Sequence, residues 1–458
     1  MILALISYYY SFLPIWKRTI KLAWPITVDK SLRTLMRTTD VLVTGFFSPA
    51  AIAAIGLADL YARFPTRIGS GVGGAAIALS SQDTGTGDLA NRNESITQAL
   101  VLGFVLGIPM AIFGVFFGYW AISILGAPDE VAQMGGIYLA IILFTSPARH
   151  VGYIASAALQ GTGDTKTPMK INMTGNFINI VLTVGLGLGI GFLPTLEIVG
   201  VGIGTATGNI LTALLFLYSI YSSDKISFVT PRDLTILKQL LVISTPRVVE
   251  GFSSNIAEFP FNAILLMFGV EVNAAWQVAR RLYQQITAPP NRAANTVSSI
   301  IIGQDLGEER YLDAKSNARG IAVLALLLIV PIGLLLVLFP NFFVNFFTSD
   351  AATIGYAAAF TIAYGVSAGF ESVFRVFSGV LQGAGDTRKP LYAELVAVFS
   401  SYVLFTYSFG VYLGYGVIIA YAAILLHNLM RASFVVIWFY NDGWITYARG
   451  LMEERGSI

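Results

Sequence analysis

Twelve apolar stretches follow one another along the chain, at 21–46, 51–80, 96–120, 131–158, 167–192, 197–221, 238–269, 273–302, 318–347, 352–380, 390–412 and 415–440. A helix needs roughly 20 apolar residues to cross a bilayer. Inside hydrocarbon every backbone polar group must be satisfied internally, so repeated stretches of this length predict a bundle of membrane-crossing helices. Composition agrees. Only 12% of the 458 residues are charged and the mean hydropathy is +0.70, whereas soluble domains carry about 25% charge. The absence of cysteine excludes disulfides, thiol catalysis and cysteine metal sites. Two histidines, His150 and His427, make a His-rich metal centre an unpromising reading. A net charge of +2 points to no particular partner.

Charge placement orients the bundle. The connections after spans 1, 3, 5, 7, 9 and 11 contain no Lys or Arg, and the other connections, both ends and the first residues of the adjoining spans contain sixteen. By the positive-inside rule both termini are cytoplasmic, which predicts a multi-pass plasma-membrane protein. The start, MILALISYYYSFLPIW, lacks the basic head and small-residue cleavage site of a signal peptide. Its Tyr8, Tyr9, Tyr10 and Trp16 suit an interfacial helix.

A ten-residue motif occurs twice. LQGTGDTKTP begins at Leu159 and LQGAGDTRKP at Leu381, seven of ten positions being identical at an offset of 222 residues. Other pairs recur near that spacing: Pro25-x-x-Val28-Asp29 with Pro246-x-x-Val249-Glu250, and Gln82-Asp83 with Gln304-Asp305. Six spans separate the two copies, so the halves run parallel. The expected division is an N-terminal interfacial segment 1–16, an N-lobe 17–221, a cytoplasmic linker 222–237, a C-lobe 238–441 and a cytoplasmic tail 442–458. The motif itself is also what a tight turn requires: glycines at 161, 163, 383 and 385, then an Asp-Thr pair that satisfies free N–H groups.

With these residues the chain resembles the multidrug and toxic compound extrusion (MATE) family of secondary transporters. The resemblance covers nearly the whole chain. It rests on the duplicated twelve-span layout, LAWP at 22–25, Asp40 fifteen residues past Pro25, AAWQVA at 274–279 and the paired LQGxGDT turns. It implies an all-α membrane protein of two six-helix lobes forming a V around a central cavity. It also implies export driven by inward H⁺ or Na⁺ flow, with no cofactor, by a monomer.

Charges inside the spans are the strongest functional pointers, because each costs at least about 2.5–3.5 kcal/mol at a helix centre. Span 1 places Asp29, Arg33 and Arg37 at i, i+4 and i+8, and Asp40 continues that face. This reads either as a coupling carboxylate held among cations or as a static ion-pair ladder. The resemblance implies that Asp40 works with residues on spans 5 and 6, here Asn179, Thr183 and Thr207. Thr183 stands where the family carries a second carboxylate. Hard cations prefer charged oxygens, so Na⁺ at Asp40, Asn179 and Thr207 is less expected than H⁺. In the second half the resemblance points to Glu371, with Arg375 one turn on. The matching acid on span 7 would be Ser254, and Glu250 or Glu258 could substitute. Arg149 is the repeat counterpart of Glu371, so the halves carry opposite charges at equivalent places.

Pro65 and Pro147 suit kinks. GTGDTKT lacks the glycine before lysine that a nucleotide loop needs, and no nucleophile–base set is apparent. The expectation is a non-enzymatic, proton-coupled antiporter of amphipathic organic compounds in a lipid bilayer, with no nucleotide or nucleic-acid partner. Intramembrane cations outnumber anions twelve to seven. An exporter of organic anions, or a flippase of a phosphate-bearing lipid in the same superfamily, is the alternative.

Overall fold

The computed structural model describes residues 12–191, 193–223 and 226–457, without the side chains of residues 41, 254 and 255. Most of the expected interfacial segment, residues 1–11, lies outside them, as does the Ser254 side chain. The helices run α1 Leu13–Thr44, α2 Pro49–Thr86, α3 Leu89–Ser123, α4 Asp129–Phe144, α5 Ser146–Gly161, α6 Lys166–Leu188 and α7 Glu197–Tyr221. They continue as α8 Leu234–Phe268, α9 Val270–Gly307, α10 Tyr311–Leu338, α11 Pro340–Val344, α12 Ala351–Gly383, α13 Arg388–Ala397, α14 Ile418–Tyr440 and α15 Gly443–Glu454. Between α13 and α14, Val398–Tyr412 winds as a π-helix.

Seven spans are long and apolar enough to cross a membrane by length and composition, α13 and its π extension counting as one. The pair α4–α5, bent by 45° at Thr145, adds an eighth. Four more helices have the length: α1 with 32 residues, α2 with 38, α8 with 35 and α9 with 38. These four carry most of the intramembrane charges, which lowers their hydropathy. The result is an all-helical protein with twelve membrane-crossing spans. The bend comes two residues before Pro147, in the first turn of α5.

Two compact units form. One takes the chain up to Thr27 together with Val249–Gly456, and the other takes Val28–Val248 with Ser457. Both divisions fall inside helices, α1 and α8, whereas the lobes expected from sequence began at 17 and 238. Local packing explains why. Residues 13–16 are continuous with α1, and the Trp16 indole donates to the Gly320 carbonyl at 2.9 Å. The linker packs on α3 instead: Glu94 Oε1 accepts from the backbone N–H of Arg232 at 2.6 Å and of Asp233 at 2.7 Å.

The duplicated motif builds the same turn twice. Helices α5 and α12 end at Gly161 and Gly383. Gly163 and Gly385 follow at φ +90° and +86°, a region open to glycine. The next N–H donates back across the turn, Asp164 to Leu159 O at 3.1 Å and Asp386 to Leu381 O at 2.9 Å. A Cβ on Gly161 would lie 3.1 Å from Ile77 O, and one on Gly383 would lie 2.4 Å from Ser299 O, at equivalent places of the repeat. The Gln-Asp pairs are equivalent as well. Asp83 accepts from Ser95 at 3.3 Å and Asp305 from Asn317 at 2.7 Å, twelve residues on in each half. Both carboxylates are fully buried.

Small residues set the helix spacing, as expected where lipid offers no hydrophobic drive for association. A Cβ on Gly118 of α3 would meet Gly136 O of α4 at 2.7 Å. Gly333 of α10 and Gly365 of α12 face each other's carbonyls, and an added Cβ would lie 2.5 and 2.6 Å from them.

Candidate functional site

The first charged cluster lies in the unit Val28–Val248. Asp29 is 2% exposed. Arg33 Nε stands 3.4 Å from its Oδ1 and Lys30 Nζ 3.7 Å from its Oδ2. The Arg33 guanidinium also covers the Tyr153 ring of α5, 4.7 Å from its centroid. The α1 stripe is therefore partly an ion-pair ladder, closed at its Asp29 end.

Asp40 closes nothing. It hydrogen-bonds Thr183 of α6, with Asp59 and Arg37 as neighbouring charges. Its Oδ1 is buried and has no hydrogen-bond partner among the described residues. The Thr183 hydroxyl reaches Asn179 Oδ1 at 3.5 Å, and Asn179 Nδ2 donates to Thr205 Oγ1 at 3.1 Å. Glycines make the approach possible. Gly200, Gly204 and Gly208 repeat every fourth residue on α7, and a Cβ on Gly204 would sit 2.7 Å from the Thr183 backbone nitrogen.

Asp40, Thr183 and Asn179 thus come together. The hydroxyl that completes the chain belongs to Thr205 and not to Thr207, because α7 turns Thr205 toward α6. Arg37 is exposed. Arg149 donates to the Ala62 carbonyl at 3.3 Å. Asp59 and Tyr153 were missed as site residues; Asp59 was legible as an intramembrane charge, but Tyr153 carried no signal. His150 sits with Nδ1 2.9 Å from Gly103 O and Nε2 2.8 Å from Pro65 O, a structural bridge between helices.

The second cluster, in the other unit, surrounds a cavity of about 180 Å³. Glu371 and Arg375 of α12 form the expected i, i+4 pair, Nε to Oε1 at 2.7 Å. Arg431 of α14 reaches across and pairs with Glu371 as well. The same guanidinium holds Glu394 of α13 at 3.0 Å and Asn428 Oδ1 at 2.5 Å, and lies over the Phe374 ring at 4.5 Å. Arg431 therefore ties three helices through two carboxylates. His427 Nε2 stands 3.9 Å from Glu394.

On the opposite wall Glu258 of α8 pairs with Arg280 of α9, whose guanidinium covers Trp276 at 5.1 Å. The Trp276 indole donates to Tyr364 OH at 3.0 Å, and Tyr364 stacks on Tyr283 at 4.9 Å. Of the two acids offered on span 7, Glu258 lines the cavity, while Glu250 is half-buried and does not line it. Arg431 and Glu394 had been visible only as unassigned intramembrane charges, since no local spacing links three separate helices.

The MatE family profile matches residues 25–184 and 246–408, once in each half. The chain is similar to the probable multidrug resistance protein NorM of Thermotoga maritima, 22% identical over 439 residues and 93% of each chain. NorM of Geobacillus kaustophilus is 25% identical over 421 residues, 87% of each chain. Among solved structures, a MOP superfamily transporter from Pyrococcus furiosus superposes with a TM-score of 0.87 at 20% identity, covering 94% of this chain and 96% of that one. The outward-facing conformation of a multidrug resistance MATE family transporter gives 0.85 at 21% identity, with coverage of 94% and 96%. Profile, relatives and fold agree on the same duplicated scaffold, and the chain is a transporter of the MATE family.

Proposed function

We propose that the chain exports amphipathic organic compounds from the cell against an inward flow of protons, and that Asp40 carries the proton. One observation carries this reading. Asp40 holds a buried oxygen with no hydrogen-bond partner among the described residues, beside a hydroxyl and a second carboxyl, Asp59, instead of in a closed ion pair. A proton can settle there without breaking an existing bond. Its arrival removes a charge from the α1 stripe that Arg37 shares, and it lets the carboxyl donate toward Thr183. A Na⁺ ion would need several converging oxygens. Thr183, where the family carries a second carboxylate, offers only a neutral oxygen, which favours the proton. The relatives named for multidrug resistance support the cargo class. Export from a monomer in the plasma membrane, with cytoplasmic termini, completes the proposal.

A second reading has its own support. The described cavity lining carries four arginines against three glutamates. An arginine-rich lining of this kind suits an anionic cargo. The Pyrococcus furiosus relative is described as having a binding pocket of reverse polarity that suggests a different function.

The test uses proteoliposomes with a pH or Na⁺ gradient imposed separately and a fluorescent organic cation as cargo. Transport under the pH gradient alone, lost in Asp40→Asn and kept in Glu371→Gln, is the expected result. The reverse pattern would move coupling to the Glu371 cluster. Transport of anions and never of cations would select the second reading.

A further inference from the structure

Asn291 of α9 is 2% exposed, yet neither Nδ2 nor Oδ1 has a hydrogen-bond partner among the described residues. Leaving both ends of a buried amide unmade is costly, about 1–3 kcal/mol per group. Pro289 and Pro290 just before it withhold two N–H donors from the helix ladder, so nearby carbonyls are under-used too.

The position of Asn291 gives this waste a use. It lines the charged cavity, and it also lines a separate apolar groove of about 70 Å³. One wall of the groove is the face of α1 bearing Thr19, Ala23 and Thr27, one turn apart. The other walls are Ala294 of α9 and the Leu324–Leu328 face of α10. The rim is open, with Ile20 52% and Leu328 55% exposed. Eight residues of α1 correspond to roughly 12 Å at 1.5 Å per residue, room for part of an extended alkyl chain. All these residues belong to one unit.

Apolar groove, unpaired amide and charged cavity form a sequence that one ligand can match. The cavity end is lined by Arg280, Arg292, Arg375 and Arg431. It also offers Arg431 Nε, a buried donor without a hydrogen-bond partner among the described residues. Guanidinium groups favour phosphate oxygens. We propose that this unit binds a single-tailed phosphate amphiphile with a free hydroxyl between tail and phosphate, the chemistry of an anionic lysophospholipid. The tail lies in the groove. The glycerol hydroxyl donates to Asn291 Oδ1, and the ester carbonyl accepts from Nδ2. The monoanionic phosphodiester enters the arginine-lined cavity. This deepens the amphipathic-cargo reading and rests on it. It is tested by binding, so its failure is distinct from a failure of proton coupling.

The experiment measures affinity for the purified full-length chain in phosphatidylcholine nanodiscs. The probes are myristoyl lysophosphatidylglycerol, tetradecyl phosphate, which lacks the glycerol, and glycerol phosphate, which lacks the tail. Two hydrogen bonds to Asn291 should make the lysolipid about tenfold tighter than the alkyl phosphate. Asn291→Leu should erase that preference while leaving both lipids bound. It replaces an unpaired amide by an apolar side chain, so folding should be retained. Ala294→Phe fills the groove and leaves Asn291 in place, and should weaken the lysolipid at least tenfold. Equal affinity of wild type for the two lipids would assign Asn291 to solvent water and overturn the proposal. So would a preference that survives Asn291→Leu, or lysolipid affinity untouched by Ala294→Phe. Glycerol phosphate binding as tightly as the lysolipid would show a free phosphate compound as the occupant and sink the lipid reading.

Discussion

Replacing Arg431 by methionine should be among the most damaging single changes in the chain. The methionine keeps the length and loses the charge. Arg431 is 6% exposed and its guanidinium serves Glu371 and Glu394 together. The two carboxylates are affected unequally. Glu371 keeps Arg375 at 2.7 Å, a residue 36% exposed and able to adjust. Glu394, 7% exposed, loses the guanidinium 3.0 Å away and keeps His427 at 3.9 Å. The cost is therefore close to that of breaking one buried pair, about 3–5 kcal/mol. At about 2–4 °C per kcal/mol for a unit of this size, the melting temperature should fall by roughly 10 °C. The assay is thermal unfolding of the purified protein in detergent, followed by tryptophan fluorescence. Adding Glu394→Gln to Arg431→Met removes the stranded charge and should recover more than half of the loss. Additive effects of the two changes would show no coupling between the residues. Such a result, or an Arg431→Met variant as stable as wild type, would refute the bridge between α12, α13 and α14.

Other outcomes follow from the same geometry. Thr205→Val should slow proton-driven transport several-fold and Thr207→Val should not, since Thr205 meets Asn179. A proteoliposome uptake rate for each variant decides it. Gly365→Ala forces a methyl to within 2.6 Å of Gly333 O, and overpacking of this kind costs about 1–3 kcal/mol, to be read as a lowered melting temperature. His150→Leu takes away the ring between Gly103 O and Pro65 O. It should cost about 1–3 kcal/mol and leave the coupling-ion preference unchanged in the gradient assay.

The scaffold was written plainly in the sequence. Alternating Lys and Arg placement and the repeated LQGxGDT turn depend on rules local to one connection or one helix end. Both turns form with the glycines where the motif put them. The clusters were legible only in part. Asp29 and Arg33, or Glu371 and Arg375, are i, i+4 neighbours, and helix geometry alone brings them together. Arg431 meets Glu371 and Glu394 through the packing of three helices, which no spacing along the chain encodes. Thr205 replaced Thr207 for a similar reason. Two residues along a helix are about 200° around it, and only the approach of α6 decides which side matters. Asn291 gave no signal, because an asparagine inside a helix becomes unusual only when its neighbours are known.

The two halves of the repeat handle charge like an open and a closed circuit. Around Arg431 the current path is nearly complete: Arg375, Glu371, Arg431 and Glu394 each occupy the next, with Arg431 Nε left over among the described residues. Around Asp40 one terminal is idle. On the proposed coupling at Asp40, a proton would bind in the first half without displacing an ion pair, whereas a group contacting Glu371 or Glu394 would compete with arginine. A duplicated frame thus ends with one half whose carboxylate oxygen is available and one whose carboxylates are already taken.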